Sequence, residues 1–231
     1  MHRPLPRGPR GSTILEAAIV LVMLGLLSAV ALPRFLSSRT RAHQAEARSN
    51  LKSWILAQRS FYEENARYEE DIRELGFTVE RGNRYTYYFG RLPFFYCETR
   101  DTAVAVVPQP PPGWSVDCIT RDRYEHGMNS LDKPLWWPFM GRTVGITHTG
   151  EGYAPSNPGV TNSRMGWTPE GNISALAVAN IDDDAAVDTW YVSSADASVS
   201  LKCGDSKEHL EAGTPINYFD DVAHENSAGC L

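Results

Sequence analysis

The sequence of 231 residues lacks the short motifs that carry enzymatic chemistry. It contains no His-Glu-x-x-His zinc motif, no Gly-x-Ser-x-Gly nucleophile turn and no Walker loop for nucleotide phosphates. The histidines are scattered along the chain and lack the spacing of metal ligands. We therefore predict that the protein is not an enzyme and does not bind nucleotide.

Cysteine is also scarce, and no two of the four residues form a Cys-x-x-Cys pair. Their spacing does not resemble a zinc site. An even number is typical of disulfides in an exported protein, and four cysteines allow three pairings. The four are Cys97, Cys118, Cys203 and Cys230.

Basic residues are outnumbered by acidic ones, 22 against 28, which gives a formal net charge of −6. Three of the bases are arginines among the first eleven residues, so the remainder carries 19 bases, 28 acids and a net charge of −9. Such an acidic surface argues against nonspecific nucleic-acid binding as the main role.

Charge is missing altogether from residues 17–32, and this absence is the most informative one. A helix over residues 12–32 would be roughly 30 Å long, about the thickness of the hydrocarbon core of a bilayer. We therefore predict a transmembrane segment at residues 12–33.

One acid, Glu16, lies just inside the start of this apolar run. A carboxylate within an apolar helix costs about 2.5–3.5 kcal/mol on insertion scales and usually has a partner. Glu16 either lies at the membrane interface, where the cost is small, or pairs with a cation from another chain. A free amine at Ser12, exposed by cleavage after Gly11, would be such a cation.

The start of the chain resembles the class III signal of type IV pilins and pseudopilins. The resemblance is carried by the basic leader, by the stretch GSTILE at residues 11–16, and by Gly25 and Pro33 further along. It covers about the first 60 residues directly. The first mature residue in the family is usually Phe, and here it is Ser12.

The resemblance implies a route of processing and assembly. Residues 1–11 would be a leader peptide, cleaved after Gly11 by a prepilin peptidase that also methylates the new amine of Ser12. Glu16 would pair with the amine of a neighbouring subunit as the filament assembles.

Two other interpretations of this segment stay open. An ordinary secretory signal would need a small-residue cleavage site, for which residues 27–29 and 29–31 are candidates. Its apolar region, however, spans only about 7–15 residues and carries no acid near its start. A simple transmembrane anchor explains neither Gly11 nor Glu16.

Helical periodicity continues beyond the apolar run. Apolar residues recur every three or four positions from Ala47 to Tyr62, with charged residues between them. We predict one long helix over residues 12–65, apolar in its front half and amphipathic in its rear half. Pro33 removes one backbone hydrogen bond, and in the pilin family a proline here marks a bend.

Strand-like segments dominate residues 66–231, which we predict to form a globular head. The clearest segments are residues 84–90, 102–107, 172–181 and 187–193, and weaker ones are residues 114–119, 142–149 and 198–202. Repeated strands after one long helix predict an α+β fold in which the helix packs on an antiparallel sheet, the pilin fold.

Sequence neighbours are the disulfide pairing that we favour, Cys97–Cys118 and Cys203–Cys230. The second bridge would close a carboxy-terminal loop of the kind that pilins often carry. The aromatic insert at residues 131–141 either folds onto the core or forms a subunit contact. The long insert at residues 150–171 suggests no chemistry.

A carboxylate cluster lies between two predicted strands. Asp182, Asp184 and Asp188 have a spacing that can turn oxygens toward a hard cation such as calcium. Related pseudopilins bind calcium in a late loop, which supports a calcium site here. The alternative is a solvated acidic turn, since Asp favours turns.

The resemblance predicts a structural subunit of a type IV pilus that serves adhesion and twitching-type motility. Its partners would be identical copies, the prepilin peptidase and an assembly platform in the inner membrane. The subunit would lie in the inner membrane with its head in the periplasm, and then in the extracellular pilus. Alternatives are a minor pilin, a type II secretion pseudopilin, or a membrane-anchored periplasmic enzyme or binding protein.

Overall fold

A computed structural model describes residues 14–90, 96–127, 145–148, 159–160, 172–181, 188–200 and 207–219. The chain divides into two compact units, Met1–Arg41 and Ala42–Leu231. The first unit consists, in its described part, of helix alone, whereas the second contains the end of that helix and all the strands that the structure describes.

The long helix α1 runs from Ile14 to Asn65 and comprises 52 residues. It confirms the prediction of one long amino-terminal helix. The helix is continuous through Pro33, and a bend at this residue stays an untested prediction. The helix ends where Ala66 adopts a left-handed φ of 53° and its amide donates to the carbonyl of Tyr62 at 2.8 Å.

The remaining described elements are short. They are the helices α2 (Ile72–Leu75) and α3 (Arg123–His126) and the strands β1 (Thr86–Tyr88), β2 (Cys97–Glu98), β3 (Cys118–Ile119), β4 (Gly145–His148), β5 (Gly159–Val160), β6 (Ile173–Ala179), β7 (Asp188–Ser193), β8 (Ala197–Ser200), β9 (Lys207–Leu210) and β10 (Ile216–Phe219).

The main sheet has the strand order β10-β7-β6-β1-β3-β2, with β5 paired to β6. All of its pairs are antiparallel except β2 with β3, which are parallel. A second antiparallel sheet has the order β4-β8-β9. The α+β fold is therefore as predicted, and the parallel pair is an addition that sequence analysis did not foresee.

Most predicted strands are present. The segments 84–90, 172–181 and 187–193 contain β1, β6 and β7, and the last two form an antiparallel pair. The three weaker segments overlap β3, β4 and β8. Strands β2, β5, β9 and β10 and helix α3 were not predicted, and the insert at 131–141 lies outside the described residues.

The predicted strand at residues 102–107 is wrong. Only an isolated bridge between Thr99 and Val106 forms there, and Thr102 Oγ1 donates to the carbonyl of Val104 at 2.7 Å within a bend. Val104 is 74% exposed. Valine favours strands mainly because it packs on a half-buried pleated surface, and this segment has no such surface beneath it.

The core lies where the rear half of α1 meets the main sheet. The helix contributes the buried side chains Ala47, Leu51, Trp54 and Ile55. The strands and their flanks contribute Tyr85, Tyr87, Phe89, Ile119, Ile173, Ala175, Ala177, Ala179, Trp190 and Val192. The alternate alanines of β6 leave room for a helix backbone to approach the sheet.

A disulfide joins Cys97 on β2 to Cys118 on β3, which lie opposite each other in register. This confirms the first predicted pairing. Cys203 and Cys230 lie outside the described residues, so the second pairing stays a prediction.

Candidate assembly surface

The front segment of α1, defined as residues 14–35, exposes apolar side chains around its whole circumference. Six consecutive residues, 19–24, are about half to two thirds exposed. A helix that is apolar on every side needs lipid or protein around it, because it has no face that suits water. The large exposed side chains are Ile14, Leu15, Ile19, Val20, Leu21, Val22, Met23, Leu24, Leu26, Leu27 and Phe35.

Glu16 lies in the first turn of α1 and is exposed. A negative charge in this position interacts favourably with the positive end of the helix dipole. Nine residues later, a Cβ added to Gly25 would meet no atom of the chain within 4 Å. A glycine within an apolar helix allows a second helix to approach closely.

Gly11 and Ser12, the predicted processing residues, lie outside the described residues. Among the residues that the structure describes, no helix is long and apolar enough to cross a membrane.

The rear half of α1, residues 42–65, packs on its own head instead. Trp54 is fully buried and stacks on Phe89 with 5.2 Å between ring centroids, and Phe89 in turn meets the edge of Phe77 at 5.5 Å. Gln58 is also buried, and its amide both donates to the carbonyl and accepts from the amide of Glu69. These contacts fix one face of the helix against the sheet and the following loop.

Asp188 at the start of β7 accepts hydrogen bonds from side chains on α1, next to β1, on β7 itself and on β10. Its Oδ2 accepts hydrogen bonds from Tyr85 Oη at 2.6 Å and from Trp190 Nε1 at 2.8 Å. Its Oδ1 accepts from Gln44 Nε2 at 3.2 Å and from Asn217 Nδ2 at 2.9 Å. Burial raises the pKa of Asp188, and all four of these donors are neutral.

Glu46 makes a second polar contact between α1 and the sheet. Its Oε1 accepts from the backbone amide of Arg84 at 3.1 Å and from Tyr87 Oη at 3.2 Å. Asn50, one turn further along α1, donates to Tyr87 Oη at 2.8 Å. Burial raises the pKa of Glu46 as well.

Two cations of α1 hold the turn between β9 and β10. Lys52 Nζ donates to the carbonyl of Gly213 at 2.8 Å, and Arg59 Nη2 donates to that of Ala212 at 3.0 Å. Gly213 has a φ of 74°, and a Cβ at this position would collide with the guanidinium of Arg59. The left-handed backbone favours glycine here, whereas the end of the flexible Arg59 side chain could shift to make room for a Cβ.

The predicted calcium ligands are not brought together in the described part of the chain. Asp182 and Asp184 lie outside the described residues, and Asp188 already uses both oxygens for the four hydrogen bonds given above. No group of three or more acidic, histidine or cysteine side chains among the described residues could hold a metal ion. The predicted calcium site at Asp182, Asp184 and Asp188 therefore stays an untested prediction.

A surface groove of about 490 Å³ lies between α2 and the proline run at residues 110–112. Both arginines of its lining pair with acids of the lining, Arg67 with Glu69 and Glu74, and Arg73 with Asp71 at 2.5 Å. The hydrogen bonds from Arg73 outweigh burial and lower the pKa of Asp71. The groove lining contains no nucleophile held by a base.

The roles of Glu46 and Asp188 as helix anchors were missed by sequence analysis. Glu46 is the one acid among residues 34–59, which was a usable signal. Asp188 was assigned to a metal site because it follows Asp182 and Asp184 closely in the sequence, and no local pattern distinguishes it from them.

Comparison with known proteins gives two findings. Residues 38–188 match a family described as "Type IV pilin PilA". Over 226 residues the chain is 33% identical to a protein of Myxococcus xanthus (strain DK1622) named "Type IV major pilin protein PilA", and the match covers 95% of each chain.

Proposed function

We propose that this chain, which belongs to the type IV pilin PilA family, is the structural subunit of a type IV pilus filament. The family is structural rather than enzymatic. The observation that carries the proposal is the exposed apolar surface of the front segment, which the subunit cannot cover in water by itself. Packing of identical front segments would cover it, and the head would then form the outer face.

The processing steps belong to the same proposal. Prepilin peptidase removes residues 1–11, and the amine of Ser12 in one subunit pairs with Glu16 of its neighbour. The support is the position of one carboxylate four residues beyond Ser12 in an otherwise apolar segment. Pairing reduces the free energy needed to bury that charge and sets the axial register of the helices.

The subunit resides in the inner membrane before assembly, with its head in the periplasm, and in the extracellular pilus afterwards. The uncharged residues 17–32 and the disulfide between Cys97 and Cys118 support this location. An assembly platform in the inner membrane would extract the subunit, and the filament would serve adhesion and twitching-type motility.

The variant Glu16→Ala tests the proposal. We expect the protein to accumulate in membranes at the wild-type level, while the yield of filaments sheared from cells falls at least tenfold. Glu211→Ala, which removes an exposed acid of the head, serves as the matched control and should leave the yield unchanged. Filaments of normal yield from Glu16→Ala would refute the assembly role of this residue.

Intact mass separates the pilin from the membrane-anchored alternative. A mature chain that begins at Ser12 and carries one added methyl group supports processing by prepilin peptidase. Cleavage near Ala31, or no cleavage, contradicts it. Peptide identification in sheared filaments then distinguishes a major subunit, which forms the bulk of the filament, from a minor pilin or a pseudopilin.

A further inference from the structure

The main sheet continues beyond β2 into a short stretch of extended chain at residues 105–107, which we call the open edge. Thr99, directly after β2, and Val106 donate their amides to each other's carbonyls, both at 2.9 Å. This exchange of two hydrogen bonds is the pattern of an antiparallel strand pair. The chain bends at residues 101–104 and reaches Pro108 directly afterwards, so the open edge is short.

The backbone of the open edge can accept one more strand. In an extended chain, successive residues turn their amide and carbonyl groups to opposite sides. Val106 turns these groups toward Thr99, so Ala105 and Val107 turn theirs away from the sheet. Among the described residues, none forms a hydrogen bond with the amide or carbonyl of Ala105 or Val107. Such a row of unpaired groups is a template for pairing with another chain.

Apolar side chains on and beside the open edge are exposed. Val104 is 74% exposed, Val106 55% and Val107 42%. Valine suits a strand that is covered on at least one face, yet no described part of the chain covers these three. The segment predicted as a strand therefore has the composition of one, and the partner that would complete it lies in another molecule.

Charge indicates what that partner is. Residues 66–231 contain 13 bases and 24 acids and carry a net charge of −11, so two identical heads repel each other over most of their surface. Residues 102–116 are the longest run of this region without a charged residue. Asp101, just before the run, pairs with Arg123 at 3.4 Å. The open edge is therefore where a second copy can approach with the least repulsion, whereas a basic partner would gain more at the acidic parts of the head.

We propose that the open edge is a contact between the heads of two copies of this chain, which pair as antiparallel strands about a two-fold axis at Val106. Full overlap of the two edges places Ala105 opposite Val107 of the other copy, and each such pair exchanges two backbone hydrogen bonds. Val106 then lies opposite its own counterpart. The inference goes beyond the proposed function, because a two-fold contact closes after two copies and cannot propagate along one filament.

Disulfide trapping of the detergent-solubilised full chain tests the contact. Opposite residues at the two-fold axis have Cα atoms about 4.5 Å apart, within the range of a disulfide, so Val106→Cys should give a dimer on mild oxidation. The matched control is Val104→Cys. Val104 is more exposed, but its two copies would lie roughly 13 Å apart, too far for a disulfide. We expect at least about fivefold more dimer from Val106→Cys, with the bridge between two copies of residue 106 located by peptide mapping.

Removal of a backbone donor distinguishes strand pairing from a simple contact between valines. Val107→Pro, added to Val106→Cys, deletes one outward amide from each copy and leaves the bonds between Val106 and Thr99 in place. A residue before proline favours the extended backbone that Val106 already has. We expect the dimer yield to fall at least about threefold with Val107→Pro and to stay within about twofold with Val107→Ala, the control in the same background.

In filaments, the contact would join subunits of two neighbours that lie side by side. Such filaments present many copies of the open edge, and repeated weak contacts add. Val106→Lys places like charges opposite each other across the two-fold axis. We expect an unchanged filament yield and at least about a threefold smaller bundled fraction, measured by low-speed sedimentation of sheared filaments. Thr214→Lys, at an exposed position before β10 at the far end of the main sheet, is the control and should leave the bundled fraction unchanged.

Three results would overturn the proposal. An equal or greater dimer yield from Val104→Cys would show that exposure, and not the two-fold register, controls crosslinking. An unchanged yield with Val107→Pro would show that the backbone is not paired. A bundled fraction in Val106→Lys equal to that of wild type would show that filaments do not meet through this edge. The first two measurements require no filaments, so they decide the inference even if the proposed function fails.

Discussion

The two halves of α1 differ in where their apolar side chains find contacts. In the rear half, apolar residues recur every three or four positions and are buried against the sheet, as Leu51 and Ile55 are. In the front segment, consecutive apolar residues such as Leu21, Val22 and Met23 are all exposed. The rear half therefore finds its partner within the chain, whereas the front segment must find its partner elsewhere.

The comparison also shows where specificity lies. The rear half is positioned by polar contacts with specific residues of the sheet, such as Gln44 with Asp188 and Asn50 with Tyr87. These contacts fix the rotation and height of the helix on the sheet. Glu16 is the one charge among residues 14–33 of the front segment, so a single residue must set the register of any helix that packs there.

The largest expected effect comes from Trp54→Ala in the rear half. Trp54 is fully buried and stacked on Phe89, so truncation should lower the free energy of unfolding by about 3–5 kcal/mol. Denaturant unfolding of the detergent-solubilised protein, followed by fluorescence, measures the change.

The matched control for Trp54→Ala is Leu26→Ala in the front segment. Leu26 is 67% exposed, so its truncation should change the unfolding free energy by less than about 0.5 kcal/mol. It should instead lower filament yield. Equal effects of the two variants on the unfolding free energy would contradict the difference between the two halves of α1.

A smaller effect is expected from Asp188→Ala, which removes the acceptor for four side chains. Tyr85 Oη and Trp190 Nε1 would lose their acceptor in a buried site, at about 1–3 kcal/mol for each unsatisfied group, so we expect a loss of about 3 kcal/mol. Asp188→Asn keeps one carbonyl oxygen and should lose less. Thermal unfolding of both variants tests this, and an Asn variant less stable than the Ala variant would contradict it.

The fold was predictable from sequence where the pattern was long or strongly apolar. The helix at residues 14–65 is indicated by its apolar run and its helical periodicity, and strands β6 and β7 by short, largely apolar segments with an acidic stretch between them. The strand expected at 102–107 failed because strand propensity depends on burial, which the sequence around Val104 does not encode. Strands β2 and β10 are too short or too irregular to give a period-two signal.

The candidate surface was predictable in its apolar part and less so in its polar part. Glu16 is conspicuous because its neighbours are uncharged. Asp188 is not, because its partners Tyr85 and Asn217 are distant in sequence and come together only when the sheet forms. Long-range polar networks of this kind have no local signature, so Asp188 was grouped with the nearby Asp182 and Asp184.

The smallest expected effect is a dependence of the unfolding free energy on pH, which arises in the head and not in the front segment. Burial raises the pKa of Asp117 to about 8, and the nearby charges of Glu70 and Asp71 add to this. The carboxyl accepts a hydrogen bond from the amide of Tyr96 at 3.2 Å and packs on Gly90. In the unfolded chain Asp117 titrates near its ordinary value, about 4.

This difference in the pKa of Asp117 determines the direction in which stability changes with pH. Between about pH 4 and pH 8 the unfolded chain releases the proton of Asp117 while the folded head retains it, so stability falls as the pH rises and levels off above about 8. We expect this carboxyl to contribute about 2 kcal/mol across that range, since water penetration reduces the full effect. Asp117→Asn removes the titration, so the stability difference between wild type and variant isolates it. If that difference is the same at pH 5 and pH 8, the head does not hold Asp117 in its neutral form. The stability of the folded head would then not depend on the protonation of this carboxyl, and the contrast with the front segment would rest on apolar packing and hydrogen bonds.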